Sequence, residues 1–262
     1  MSGANVMLTP PNLNLPTSNF KLFKKLLSSK NGKIYDDGII QVKYRSVFKQ
    51  SKGKIACQMS SKAPLSLSKV EVISQAGAIL KKTKESRKKH PEFFLFVDNL
   101  KHFADFAKIQ LMYRVNAQQK ILNLTLPVFI HHFISPFKID WNKYNSIYKE
   151  YSSNPQVFKL DEFIRNPNSN APVNDIMTKF RQLFEKVMNL NVKVFPDERN
   201  IKFVFGVGIV NASEHKTKKI PVVIELQKFD SDHKHLRLGI RAKYSPFVVQ
   251  NIFQIIQFFV YS

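Results

Sequence analysis

From Ile40 to Leu126 the chain alternates apolar and polar residues with a period of two, and after Pro127 that rhythm gives way to a mixture of helical and strand patterns. Ile40, Val42 and Tyr44 alternate with Gln41, Lys43 and Arg45, and Ile55, Cys57 and Met59 alternate with Lys54, Ala56 and Gln58. Successive side chains of a strand point to opposite faces, so each of these segments predicts a strand with one buried face. From Leu65 to Val72 the apolar positions slip by one residue, from Leu65 and Leu67 to Val70 and Val72, a phase change that a β-bulge absorbs. Further strands are expected at Phe93 to Val97, Ile109 to Val115 and Leu122 to Leu126. Short strands at this spacing with no helical pattern between them predict an immunoglobulin-like β-sandwich.

Beyond Pro127, Trp141, Tyr144, Ile147, Tyr148 and Tyr151 fall at steps of three and four behind Asp140, which predicts a helix with an aromatic stripe and an aspartate N-cap. Ile176, Phe180, Leu183, Phe184 and Val187 predict a second helix behind Asn174. Strand patterns return at Val192 to Phe195, Ile201 to Val210, Ile220 to Leu226 and Leu236 to Ala242, and a last helix runs from about Pro246 to Val260. Helices on an antiparallel sheet make this half an α+β unit.

At 262 residues the chain is long enough for two subdomains, and the sequence divides into a linker over 1–17, a β-sandwich over 18–126 and an α+β part over 127–262. Met1 to Thr17 carry no charge and hold Pro10, Pro11 and Pro16, which reads as a tether rather than a secretory signal. No uninterrupted apolar run approaches the roughly 18–20 residues that span a bilayer, so a soluble protein is expected. Forty-one Lys and Arg against nineteen Asp and Glu give +22, a field that attracts acidic peptides, nucleic acid or anionic lipid. The stretch Lys81 to Lys89 reads as a solvated basic loop.

Signals for catalysis are thin. Cys57 is the only cysteine, which excludes an intrachain disulfide, and its alternating neighbours place it in a core. His233 and His235 would share a strand face without a matching acidic cluster, and His131 and His132, read as adjacent strand residues, would face opposite ways. Gly206-Val207-Gly208 lacks the third glycine of a dinucleotide cradle and sits inside a strand pattern, which suggests close packing instead. No enzyme activity, metal or cofactor is expected.

Several blocks resemble the C-terminal appendage, or ear, of the alpha-adaptin family. They are Asn19-Phe20-Lys21-Leu22-Phe23 followed by Gly32, the segment Gly38 to Gln50 followed by Gly53-Lys54, Leu126-Pro127 with Phe133 and Pro136, and Arg237-Leu238-Gly239-Ile240-Arg241. The resemblance implies a β-sandwich followed by an α+β platform with a five-stranded antiparallel sheet flanked by helices, without catalysis. It implies capture of endocytic accessory proteins through short motifs such as Asp-Pro-Phe or Phe-x-Asp-x-Phe, at clathrin-coated pits on the cytosolic face of the plasma membrane. The other subunits of a heterotetrameric adaptor would be partners through a trunk, clathrin would be reached indirectly, membrane association would be peripheral, and no nucleic acid would be bound.

On the same resemblance, Tyr148 stands where the family floors its slot with tryptophan, Tyr144 where it has phenylalanine, and Arg237 and Arg241 where it has ligand-facing arginines, with Lys149 keeping its basic character. Asn145 replaces a second phenylalanine. Glu225 falls at a third arginine and Gln227 at a glutamate, a reversal that would repel an acidic peptide. Gln58 replaces a phenylalanine of the family's second, sandwich site, which is therefore not carried over. Two other readings stay open: an appendage of another coat, of the beta-adaptin or coatomer gamma kind, and a basic module that binds anionic lipid or nucleic acid.

Overall fold

The computed structural model describes residues 25–74, 78–82, 91–99, 107–138, 140–165, 173–197, 200–211, 220–229, 232–243 and 246–261. The tether over 1–17 and most of the basic stretch Lys81 to Lys89 lie outside these residues, as do the side chains of Trp141, Asn145, His233 and His235. Among the described residues no helix is long and apolar enough to cross a membrane.

Eight strands come first: β1 (Asn31–Asp36), β2 (Ile40–Lys49), β3 (Lys52–Ser61), β4 (Leu65–Ser74), β5 (Ala78–Lys82), β6 (Glu92–Asn99), β7 (Lys108–Val115) and β8 (Gln118–Thr125). They form two antiparallel sheets, ordered β1-β2-β3-β6-β5 and β4-β7-β8. Without β1 this is the A-B-E-D and C-F-G order of an immunoglobulin-type sandwich, and β1 extends the first sheet beyond strand A. The alternation decides what goes inside: Ile40, Val42, Ile55, Cys57, Met59, Phe93, Leu95, Ile109 and Leu111 are all buried in one core. Burial pushes the Cys57 thiol up to about 12, so it remains a thiol at neutral pH. The register shift between Leu67 and Lys69 is the bulge anticipated from the phase slip. β1 and β5 have no counterpart in the sequence reading. β1 is joined to β2 by a turn in which Gly38 has φ +82 and the Asp37 carboxylate accepts from the amides of Ile39 and Ile40.

The second half begins with a 3₁₀ turn at Ile130–Phe133 and β9 (Ile134–Pro136), then α1 (Trp141–Ser153), β10 (Val157–Arg165) and α2 (Val173–Gln182), which runs into a π turn at Leu183–Val187. β11 (Asn191–Asp197), β12 (Asn200–Val210), β13 (Ile220–Phe229), β14 (Asp232–Lys243) and α3 (Pro246–Tyr261) follow. α2 starts two residues earlier than a helix capped by Asn174 would, so Asn174 lies in its first turn rather than capping it. The sheet is antiparallel with order β10-β14-β13-β12-β11, and β9 pairs with the far end of β12 as a sixth strand. The expected count of five therefore describes its continuous path alone.

Alternate residues of each strand serve different helices. Val222, Ile224 and Leu226 of β13, with Leu236, Leu238 and Ile240 of β14, pack in the core that includes α2 and α3. Val223 and, on β12, Phe205 and Val207 instead pack with Tyr144 and Tyr151 of α1. A helix thus covers part of each face of the sheet. Gly206 and Gly208 work as expected of a close-packed strand: a Cβ on Gly208 would lie 2.6 Å from both Ile134 Cγ2 and Leu190 Cδ2.

The two halves share one continuous core. His131 and His132 lie in the 3₁₀ turn at the junction, not in a strand, and their rings sit side by side with centroids 4.2 Å apart, contrary to the expectation of opposite faces. The Nε2–H of His131 donates to Leu27 O at 3.0 Å, and His132 Nδ1 accepts from the Phe129 amide at 3.3 Å while its ring stacks on Phe48 at 4.2 Å. A side chain from the first half and a turn from the second are thereby held face to face.

Candidate functional site

Asp140 caps α1 by accepting from the Lys143 amide at 2.7 Å, which fixes the start of the helix and the azimuth of its aromatic stripe. At the other end Lys243 of β14 pairs with Glu150 and lies 4.9 Å from the Tyr151 ring. Between these fixed points the helix crosses the sheet face formed by alternate residues of β12, β13, β14 and β10.

Strand register arranges that face in rows. One row runs Phe205, Glu225, Gly239, Asp161, and the next outward runs Phe203, Gln227, Arg237, Phe163. On the other side lies Val207, Val223, Arg241, Lys159. Five of the seven residues singled out from the sequence (Glu225, Gln227, Arg237, Arg241 and Tyr148) therefore meet on one side of the sheet. Tyr144 lies beneath them, and Lys149 is exposed on α1.

Three of the seven, Tyr144, Arg241 and Glu225, are buried. Tyr144 is 2% exposed, packed at 4.4 Å between ring centroids on Phe205. Arg241 is 4% exposed and fully engaged at its tip: Nη2 donates to both Asp161 oxygens at 2.6 and 2.8 Å, and Nη1 to the carbonyls of Leu160 and Ile240. The expectation that Tyr144 and Arg241 face a ligand is corrected accordingly, because each forms the foundation of the site. Arg241 can lie flat because Gly239 is its neighbour on the same face: a Cβ there would stand 3.3 Å from Asp161 Oδ1 and 3.5 Å from Arg241 Nη1. The Nε of Arg241 has no hydrogen-bond partner among the described residues.

What remains accessible is Tyr148, Phe203, Gln227, Arg237 and Phe163. Tyr148 is half-buried, its hydroxyl hydrogen-bonded to the buried Glu225 and its ring 6.0 Å from the Arg241 guanidinium. Burial, and after it the Glu225 carboxylate, push the Tyr148 phenol up to about 12, so the hydroxyl keeps its proton. Phe163 is 65% exposed and Phe203 stacks on Phe205 at 5.7 Å. Arg237 retains 41% of its side-chain exposure and touches Asp161 at only 3.4 Å. Glu225 is thus not a bare charge in the opening. It anchors the Tyr148 hydroxyl, while Asp161 occupies Arg241 and leaves Arg237 as the cation a ligand can reach.

Asp161 on β10 was not singled out from the sequence. Its signal was an Arg-x-Gly-x-Arg strand, in which a glycine between two same-face arginines leaves room for a carboxylate from the next strand. Asp161→Ala is expected to cost about 2 kcal/mol, since a buried guanidinium then loses its acceptor next to a partly wet edge. The double variant Asp161→Ala, Arg241→Met should recover most of that loss in urea melts, and a purely additive double variant would show that the pair is not coupled.

Among the described residues no group of three or more His, Cys, Asp or Glu is placed to hold a metal. No protein-family model matches the chain. Among solved structures the chain is similar to the GAE domain of GGA2p from Saccharomyces cerevisiae, at 14% identity and a TM-score of 0.28, over 37% of this chain and 99% of that one. So low a TM-score carries no argument, and the fold rests on the strand order and core described above.

Proposed function

We propose that the chain is a non-catalytic docking module of the adaptor-appendage type, of the alpha-adaptin kind, that captures short peptides carrying one aromatic side chain and one carboxylate. The observation that carries this reading is the accessible row Phe203, Gln227, Arg237, Phe163 beside Tyr148. An aromatic side chain of the ligand would stack against Tyr148 and the exposed phenylalanines above the Gly239 dip, and a carboxylate one or two residues away would accept from Arg237. Arg241 is not available to a second carboxylate, because Asp161 already occupies it.

On this reading residues 1–17 are a hinge, 18–126 the sandwich and 127–262 the platform of an appendage. The ligands are disordered accessory proteins of clathrin-mediated endocytosis, recruited at coated pits. One short motif buries little area, so affinity near the micromolar range is expected, with avidity from repeated motifs. In titration calorimetry with an Asp-Pro-Phe peptide, Tyr148→Ala and Arg237→Glu should each weaken binding by about tenfold or more. Equal affinity in wild type and both variants would remove the assignment.

A further inference from the structure

The outer face of the first sheet carries a second kind of surface, remote in chain position and chemistry from the aromatic row. Strand register places Lys43, Gln58 and Glu92 side by side, then Arg45, Ala56 and Phe94, then Val47, Lys54 and Phe96, then Lys49, Lys52 and Asp98. Five cations meet two carboxylates there, and Lys43, Arg45, Lys49, Lys52 and Lys54 are all exposed. In the opposite sheet the outward cations of β7 and β8 are Lys108 and Arg114, set among Gln110, Met112, Gln119, Ile121 and Asn123.

The apolar residues of the basic face stand proud of it. Val47 is 63% exposed and Phe96 39%. Lys54 Nζ lies 4.5 Å from the Phe94 ring centroid and 5.7 Å from that of Phe96, so its ammonium covers the ring faces. Lys43, Arg45, Gln58, Glu92 and Phe94 also line a shallow cleft of about 360 Å³, which is headgroup-sized.

We propose that this face docks on an anionic lipid bilayer. A flat patch with protruding Val47 and Phe96 inside a ring of lysines matches the headgroup boundary, where apolar tips enter and ammonium groups reach anionic phosphates. Single-stranded nucleic acid fits less well. Val47 offers no surface for base stacking, and Lys54 already lies over the two rings that could provide one. The cleft between Lys43 and Arg45 receives a lipid phosphate, and Val47 and Phe96 supply the part of the binding that salt does not remove.

The test is co-sedimentation of the whole chain with phosphatidylcholine vesicles, with and without phosphatidylserine. Binding is expected only when phosphatidylserine is present, and Lys43→Glu, Arg45→Glu and Lys54→Glu together should lower partitioning on the order of 100-fold. The equally charged variant Lys25→Glu, Lys62→Glu, Lys179→Glu changes residues away from this face and should retain most of the binding. Val47→Ser with Phe96→Ser should bind at low salt and release at high salt. The proposal is overturned if the two triple variants lose binding equally, if vesicles with and without phosphatidylserine are bound alike or not at all, or if polyuridylate binds in a Phe94→Ala-sensitive way while vesicles do not. Far-ultraviolet spectra of each variant check that it is folded, and the Val47 and Phe96 pair, both surface residues, provides a reading independent of charge.

Discussion

Truncation of Phe133 to alanine is expected to remove about 3–5 kcal/mol of stability, the range for a fully buried aromatic whose cavity cannot collapse. Phe133 is completely buried, meets Phe48 of β2 edge-on at 5.4 Å, and closes the turn from which the second half starts. Its carbonyl accepts from the Asn211 amide and side chain, so backbone bonds pin the turn in place and resist relaxation into the void. Because the apolar core is continuous from β2 to α3, the loss should move the whole molecule. Denaturant melts followed by far-ultraviolet dichroism and by fluorescence of the sole tryptophan, Trp141, should shift together. If only one probe shifts, the halves unfold separately and the shared core does not couple them.

Acid should attack the same junction. Burial holds His131 down to about 4 and His132 well below its ordinary value, with the neighbouring His131 and Lys30 adding to the latter. Both are neutral when folded, whereas the unfolded chain takes up a proton near 6.5. A depressed folded-state value means the unfolded state binds more protons, so the stabilisation is whole above about 6.5 and drains away as pH falls toward 4. For His131 alone this amounts to on the order of 3 kcal/mol. Asp37, held below its ordinary 3.8 chiefly by the Ile40 amide, contributes only in a lower window. Stability measured between pH 7 and 4 should fall in wild type and flatten in His131→Gln, His132→Phe. An unchanged slope in that variant would exonerate the pair.

The sandwich was legible because each strand buries one face, so the period of two is written directly into Ile40–Tyr44 and Ile55–Met59. Even the bulge near Lys69 showed as a slipped phase. β10 was not legible: its buried residues Val157, Leu160 and Ile164 fall three and four apart, a helical spacing, because the strand is an edge whose two faces are each only partly covered. Its pairing with β14 across some eighty residues leaves no local trace. The candidate site was half legible for the same reason. The aromatic helix and the arginine strand announce themselves by spacing, whereas the burial of Arg241 depends on Asp161, a residue whose role exists only once β10 is in place. His131 and His132 were misassigned to a strand because a 3₁₀ turn of four residues is too short to show a period.

The clasp between Asp161 and Arg241 also sets an order of events in folding. β12, β13 and β14 are joined in sequence and can pair as successive hairpins, but β10 must wait for β14 to exist before it has anything to bond. Phe163, the Asp161 carboxylate and the seat of α1 therefore assemble late, on a scaffold already formed. The Phe163 end of the row that offers itself to a peptide is the part of this sheet that arrives last and, as its open margin, the part that departs first.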